Sequence, residues 1–311
     1  MTASPPLRLV FAGTPEAAVP SLRALHAAGH EIAAVVTRPD APLGRKRVLT
    51  PSPVAAAAEA LGLAVVKAAR LDAEATERIC ALDADLAVVV AYGGLVREPL
   101  LSTPRHGWIN LHFSLLPRWR GAAPVQHALI AGDAQLGTAV FRLVPELDAG
   151  DVFAQEVVAV PDGATAGEVL DLLAETGASQ LVRVVGAIAD GTAEAVPQEG
   201  EATAAPKLAL ADGLLDWARP AAEVHARYRG VTPEPGAHTL LEGARVKVLA
   251  MERADGEDAL APGATRAAKR GILVGTATSP LLVTRIQPAG KGAMAAADWL
   301  RGQRDDVRFG A

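Results

Sequence analysis

One cysteine, Cys80, stands in 311 residues, which leaves no partner for an internal disulfide and no multi-cysteine metal site. It lies in the apolar series Ile79, Cys80, Leu82, where a lone thiol behaves as a small core residue. No second histidine or cysteine stands at ligand spacing, so no metal is expected. No apolar run approaches the ~18 to 20 residues of a membrane span, and the longest ends at Ala91. The opening Met1 to Pro6 carries no basic region, and the apolar run from Leu7 to Gly13 ends in a turn rather than a cleavage site. A soluble, cytoplasmic protein with no membrane partner is expected, with monomer as the expected state. A cationic excess is missing as well, with 30 Lys and Arg against 35 Asp and Glu. That balance argues against a generic polyanion binder. It is uneven: Ala209 to Ala311 holds 14 basic and 12 acidic residues, so a polyanion would favour that part.

Two nucleotide and nucleophile signatures are absent. Gly13 stands alone where a dinucleotide fingerprint needs three glycines, and Thr37-Arg38 rather than an acidic residue ends the second strand. A G-x-S-x-G elbow for covalent serine catalysis is missing too. The length suggests two domains. Strands at Leu7–Ala12, Ile32–Val36, Ala64–Val66 and Leu86–Ala91 alternate with helices from Thr14 to Ala28, Ala55 to Leu61 and Asp72 to Leu82, the pattern of an α/β, Rossmann-like, doubly wound, mainly parallel sheet. Thr14 and Pro15 read as N-cap and first residue of the first helix. Strands at Ala139–Val144 and Phe153–Val160 and a helix from Ala166 to Ile188 close this domain, residues 1–189. Residues 190–208, rich in Ala, Gly, Glu and Thr without a period, read as a linker. In residues 209–311 a helix at Ala221–Arg229 and short strands near 238–241, 245–251, 271–275 and 281–286 suggest a small β-barrel, OB-like or of another kind.

The informative stretch is Trp108-Ile-Asn110-Leu-His112-Phe113. Read as a strand, it points Ile109, Leu111 and Phe113 one way and Asn110 and His112 the other. Two neighbouring polar groups on a buried face need buried partners or a cavity. Asp148, in the turn Pro145 to Asp151, is expected at the same end of the sheet. An amide, an imidazole and a carboxylate suit direct transfer between two bound substrates. Asn110 would donate to a developing oxyanion, His112 would exchange a proton, and Asp148 would orient the imidazole and raise its pKa. A structural reading, with the histidine in the core and Asn and Asp as caps, is equally open.

The segment from Thr37 to Pro53 holds four prolines and a glycine, which argues against regular structure over some seventeen residues. Its tip, Arg45-Lys46-Arg47, is either a solvated loop or a mobile basic finger for phosphates.

The run Asn110-Leu-His112-Phe-Ser114-Leu115-Leu116-Pro117-Arg118-Trp119-Arg120-Gly121-Ala-Ala-Pro124-Val-Gln126 resembles the signature of the folate-dependent formyltransferases. Phe11-Ala-Gly13-Thr14-Pro15, Leu147-Asp148-Ala-Gly150-Asp151, Pro206-Lys207-Leu208 and Gly290-Lys291 extend the likeness over nearly the whole chain, and the basic loop points to the tRNA-acting branch. The resemblance implies a formyltransferase-type fold followed by an OB-like tRNA-binding domain. It implies transfer of a formyl group from 10-formyltetrahydrofolate, the co-substrate, to the α-amino group of methionyl-initiator tRNA. By it, Asn110, His112 and Asp148 take the catalytic roles, Ser114, Leu115, Leu116 and Pro117 form the folate-binding loop, and Arg45, Lys46 and Arg47 contact tRNA. Arg229 to Pro235 departs from the family's Asn-Pro-Trp-Pro-like stretch, and the segment before Lys207 lacks the expected tyrosine and acidic run. Formylation of a nucleotide sugar or other small amine, and a catalytically silent RNA-binding protein, are the alternatives.

Overall fold

In a computed structural model that describes residues 5–44, 46–303 and 306–310, the chain begins with β1 (Arg8–Gly13), α1 (Val19–Ala27), β2 (Glu31–Thr37), β3 (Ala41–Leu43), β4 (Val48–Thr50) and α2 (Pro53–Ala60). It continues through β5 (Val65–Lys67), α3 (Ala73–Cys80), β6 (Leu86–Val90), β7 (Trp108–His112), α4 (Pro124–Ala131), β8 (Gln135–Arg142), β9 (Val152–Ala159) and α5 (Ala166–Ala189). Two compact units form: one from residues up to Pro124 with Gln135–Ala159 and Leu170–Pro206, the other from Val125–Ala134, Val160–Val169 and Lys207 onward.

The first unit is built on a seven-stranded sheet in the order β5-β2-β1-β6-β7-β8-β9. The first five strands are parallel, and β8 alone is reversed, pairing antiparallel with both β7 and β9. Along the parallel strands both faces are apolar. Val10, Ala12, Val36, Val89 and Trp108 pack with Ile79 of α3, while the alternate residues Leu9, Phe11, Val35, Val88 and Ile109 are equally buried. A parallel strand covered on both sides reads this way because neither face meets water. On the second face α5 comes close to β7, and a Cβ on Gly177 would fall 2.8 Å from the Leu111 side chain. α5 is long and apolar enough by length and composition to cross a membrane, but half of its most apolar window is buried within the protein.

Three local expectations change. Thr14 does not cap a helix: its hydroxyl donates to the Tyr92 carbonyl at 3.0 Å, a 3-10 turn follows at Glu16–Ala18, and α1 starts only at Val19. The proline-rich 37–53 segment is not irregular throughout, because β3 and β4 pair as a short antiparallel hairpin, Leu43 opposite Val48. Of its prolines only Pro42 lies in a strand, and a two-stranded ribbon tolerates one because each strand keeps an open edge on which a missing N–H costs no ladder bond. After it, Ser52 caps α2 by accepting from Ala55 N at 3.0 Å. Third, residues 196–205 are paired segments of the first unit, with bridges Val152 to Val196 and Arg120 to Ala204.

In the second unit come α6 (Ala221–Gly230), β10 (His238–Leu241), β11 (Ala244–Arg253), β12 (Thr265–Ala268), β13 (Gly271–Val274), β14 (Leu281–Pro288), β15 (Met294–Ala295) and α7 (Ala296–Arg301). The strands make one antiparallel sheet, β10-β11-β14-β13-β12 with β15 on β14. Its core is anchored by aromatics: Trp217 and Trp299 each stack on Phe309 at ring distances of 6.3 and 5.8 Å. The buried Trp217 indole N–H is satisfied by the Thr239 hydroxyl at 2.9 Å.

Candidate active site

β7 has the alternation its sequence demands. Ile109 and Leu111 are buried on one face; Asn110 and His112 lie on the other, opposite Phe141 and Ala139 of β8. His112 is 6% exposed and meets Phe141 edge-on at 6.4 Å. Its Nε2 lies 2.9 Å from the Trp119 carbonyl. A carbonyl can only accept, so Nε2 carries the proton of the neutral ring and Nδ1 holds the free lone pair. Trp119 reaches that position through a left-handed backbone, φ +62°, rare for a bulky residue. On the other side of the ring, Nδ1 lies 4.0 Å from Asp148 Oδ2.

Asp148 arrives by a route other than the expected one. Because β8 runs antiparallel to β7, with Arg142 opposite Ile109, its carboxyl end lies beside the start of β7 and not at the same sheet edge as His112. The loop from Leu143 to Asp151 must turn back, and it does so tightly: Asp148 has φ +48°, and a Cβ on Gly150 would fall 1.8 Å from the Arg142 carbonyl oxygen. Asp148 ends 8% exposed, with Oδ2 accepting from the Gly121 N–H at 2.7 Å. The His112 pKa lies below 6.5: burial depresses it, while the Asp148 charge and the bond to Trp119 push it back up. Asp148 therefore raises the pKa, as expected of it, against a larger opposing effect of burial.

Asn110 supplies the unsatisfied group. Its Oδ1 is buried without a hydrogen-bond partner among the described residues. A buried orphan acceptor costs roughly 1 to 3 kcal/mol, and such a cost is commonly tolerated where a ligand supplies the missing partner.

The Ser114 to Pro117 segment turns its side chains inward. Ser114 Oγ donates to the Arg118 carbonyl at 2.7 Å, Leu115 packs against Gly137, and Leu116 joins Ala139, Phe141 and Val152 in a small core. What this loop can offer a ligand is its backbone and its shape. Around it lie residues that the sequence did not single out. Thr203 Oγ accepts from Trp119 N at 2.9 Å, and Arg120 exchanges backbone bonds with Thr203 and Ala205. Gln198 bonds Arg120 and the Asp148 turn. Gly121, at φ +126°, lies so close to this strap that a Cβ would fall 2.6 Å from the Ala205 oxygen. Lys46 and Arg47 are exposed at the hairpin tip, and Arg45 lies outside the described residues. Leu43, Val48 and Leu49 beside them are 66, 60 and 69% exposed. Among the described residues no group of three or more His, Cys, Asp or Glu could hold a metal ion.

A half-buried amide with a buried oxygen, a buried His–Asp pair and a backbone-lined loop on a Rossmann-like sheet define a class. Residues 7–185 match the formyl transferase family and residues 207–304 match the formyl transferase C-terminal domain, so the chain belongs to the formyl transferase family. It is 64% identical to the methionyl-tRNA formyltransferase of Leifsonia xyli subsp. xyli over 95% of this chain and 97% of that one. It is 59% identical to the methionyl-tRNA formyltransferase of Clavibacter sepedonicus over the same shares. Among solved structures, HypX from Aquifex aeolicus shares the fold at TM-score 0.70 and 16% identity, over 97% of this chain and 49% of that one. An N-formyltransferase from Helicobacter canadensis, solved with folinic acid and dTDP-3-aminofucose, shares it at TM-score 0.69 and 13% identity, over 91% and 99%.

Proposed function

We propose that this chain transfers the formyl group of 10-formyltetrahydrofolate to the α-amino group of methionyl-initiator tRNA. The observation that carries the site reading is the buried, unpaired Oδ1 of Asn110 on the same strand face as a buried His112 that keeps a free Nδ1 lone pair. The folate supplies an activated formyl group; the rest of the chemistry falls to the chain's own residues. Asn110 accepts from the entering amine through Oδ1 and, through its NH₂, donates to the formyl oxygen as negative charge grows there. His112 takes the proton from the amine at Nδ1 as the amine nitrogen bonds to the formyl carbon; the imidazolium so formed faces Asp148 and gives its proton to the folate N10 as the formyl C–N10 bond breaks, so that neutral tetrahydrofolate leaves. A pKa kept below 6.5 by burial leaves the ring neutral, and so competent as a base, at neutral pH. The backbone of Ser114, Leu115, Leu116 and Pro117 holds the donor.

Choice of acceptor is assigned to the hairpin tip, Arg45, Lys46 and Arg47, with its exposed Leu43, Val48 and Leu49, and to the OB-like domain of residues 209–311. Residues 1–189 form the catalytic domain in this reading. The protein works as a cytoplasmic monomer. The test is a formyl-transfer assay offering 10-formyltetrahydrofolate with methionyl-tRNA and, separately, with nucleotide-linked amino sugars. Transfer to methionyl-tRNA alone is expected; transfer to the sugars alone would refute the acceptor assignment.

A further inference from the structure

Gln198 belongs to a stretch that looks like a linker, yet all its amide atoms are engaged. Its Nε2 donates to the Asp148 and Gly150 carbonyls, each at 2.8 Å. Its Oε1 accepts from Arg120 Nη2 at 2.7 Å and Nε at 3.2 Å. Arg120 adjoins Gly121, whose N–H donates to Asp148 Oδ2. A closed ring of bonds results: one amide holds the main chain of Asp148, and a second bond from the same side holds its carboxylate. Such a ring has a definite consequence for a residue at φ +48°, because a left-handed aspartate relaxes unless its surroundings over-determine it.

We infer that Gln198 is a positioning residue for formyl transfer, fixing the Asp148 turn so that the carboxylate faces His112. The inference rests on the proposed role of the Asp148–His112 pair. A side chain that merely held residues 196–205 in place would contribute to stability and leave proton transfer alone. One that positions Asp148 must also alter the pH response of His112, since the charge that raises the imidazole pKa would no longer be held 4.0 Å away.

The test compares Gln198→Met, which keeps the length of the side chain and loses every hydrogen bond, with Asp148→Asn and the double variant, using 10-formyltetrahydrofolate and methionyl-tRNA. Gln198→Met should lower kcat about 10- to 100-fold, the scale expected of a displacement near 1 Å. KM for methionyl-tRNA should stay within about threefold, as for a residue that touches no substrate. The acid limb of the kcat profile should move to lower pH, and the double variant should be no slower than Asp148→Asn alone. A wild-type kcat and acid limb in Gln198→Met beside a disabled Asp148→Asn would overturn the proposal by itself. A fully active Asp148→Asn would remove the catalytic reading of the pair and this proposal with it. Should Gln198→Met not fold, Gln198→Glu carries the same expectation for kcat, since it keeps the pairing with Arg120 and loses both donations to the turn.

Discussion

Replacing Asp148 by Asn isolates the electrostatic half of the His112 site. The asparagine keeps an oxygen for the Gly121 N–H, so the turn retains its cap while the negative charge disappears. Two unit charges at the observed 4.0 Å interact by about 4 kcal/mol at an effective dielectric constant near 20. The His112 pKa, already below 6.5 through burial, should therefore fall further in the variant, which loses the charge that pushes it back up. In the proposed mechanism the ring works as a base in its neutral form, so the acid limb of kcat/KM moves to lower pH. The plateau falls as well, because a weaker base draws the proton less strongly; the ceiling for that loss is the ~10² to 10⁴ usually supplied by general acid–base catalysis. Rates measured from pH 5 to 8, alongside an NMR titration of the His112 ring, would read both effects. An acid limb that stays in place or moves upward would refute the assignment of Asp148 as the charge facing His112.

Replacing Asn110 by Ala should lower turnover about 10² to 10³-fold if it holds the formyl oxygen, with folate binding measured by fluorescence little changed. Neutralising Arg45, Lys46 and Arg47 together should weaken tRNA binding and flatten the slope of log affinity against log salt by about 0.9 for each phosphate no longer neutralised; an unaltered slope would exclude the hairpin tip. His225 in the second unit is 4% exposed, with its pKa lowered by burial to about 4. The native state then binds fewer protons than the unfolded chain between pH 6.5 and 4, so the contribution of His225 is complete above pH 6.5 and declines by about 3 kcal/mol toward pH 4. Urea titrations of His225→Phe should show that pH dependence removed. A Cβ on Gly150 would lie 1.8 Å from the Arg142 oxygen, so Gly150→Ala should cost about 1 to 3 kcal/mol, read as a lower Tm, together with a reduced kcat.

The strand at the centre of the site was legible because its cause is local. A period of two and neighbours of fixed type set the faces of Asn110 and His112 without knowledge of the rest. The meeting of His112 with Asp148 was legible only as a pair of residue types. Its route depends on β8 running antiparallel, a property that no pattern within β8 reveals. Gln198, Thr203 and Ala205 were hidden for a related reason: residues 190–206 have neither helical nor strand periodicity, and their order comes from bonds to Pro117, Arg120 and Val152 far away in sequence. The hairpin at 41–50 was obscured by prolines, which count against a strand with two neighbours but can sit on the open edge of a two-stranded ribbon. In the second unit, β12 and β15 are short and half exposed, and so carry little apolar signal.

The strap formed by residues 196–205 also bears on how such enzymes can be recombined. Exchange of acceptor-recognition modules between relatives would suggest a crossover just after α5, where periodicity ends. A chimera joined there would inherit a foreign sequence against the Pro117 to Gly121 loop and a foreign side chain in place of Gln198. Joining beyond Ala205 keeps the loop with the partners it folded against, so the exchange tests recognition alone.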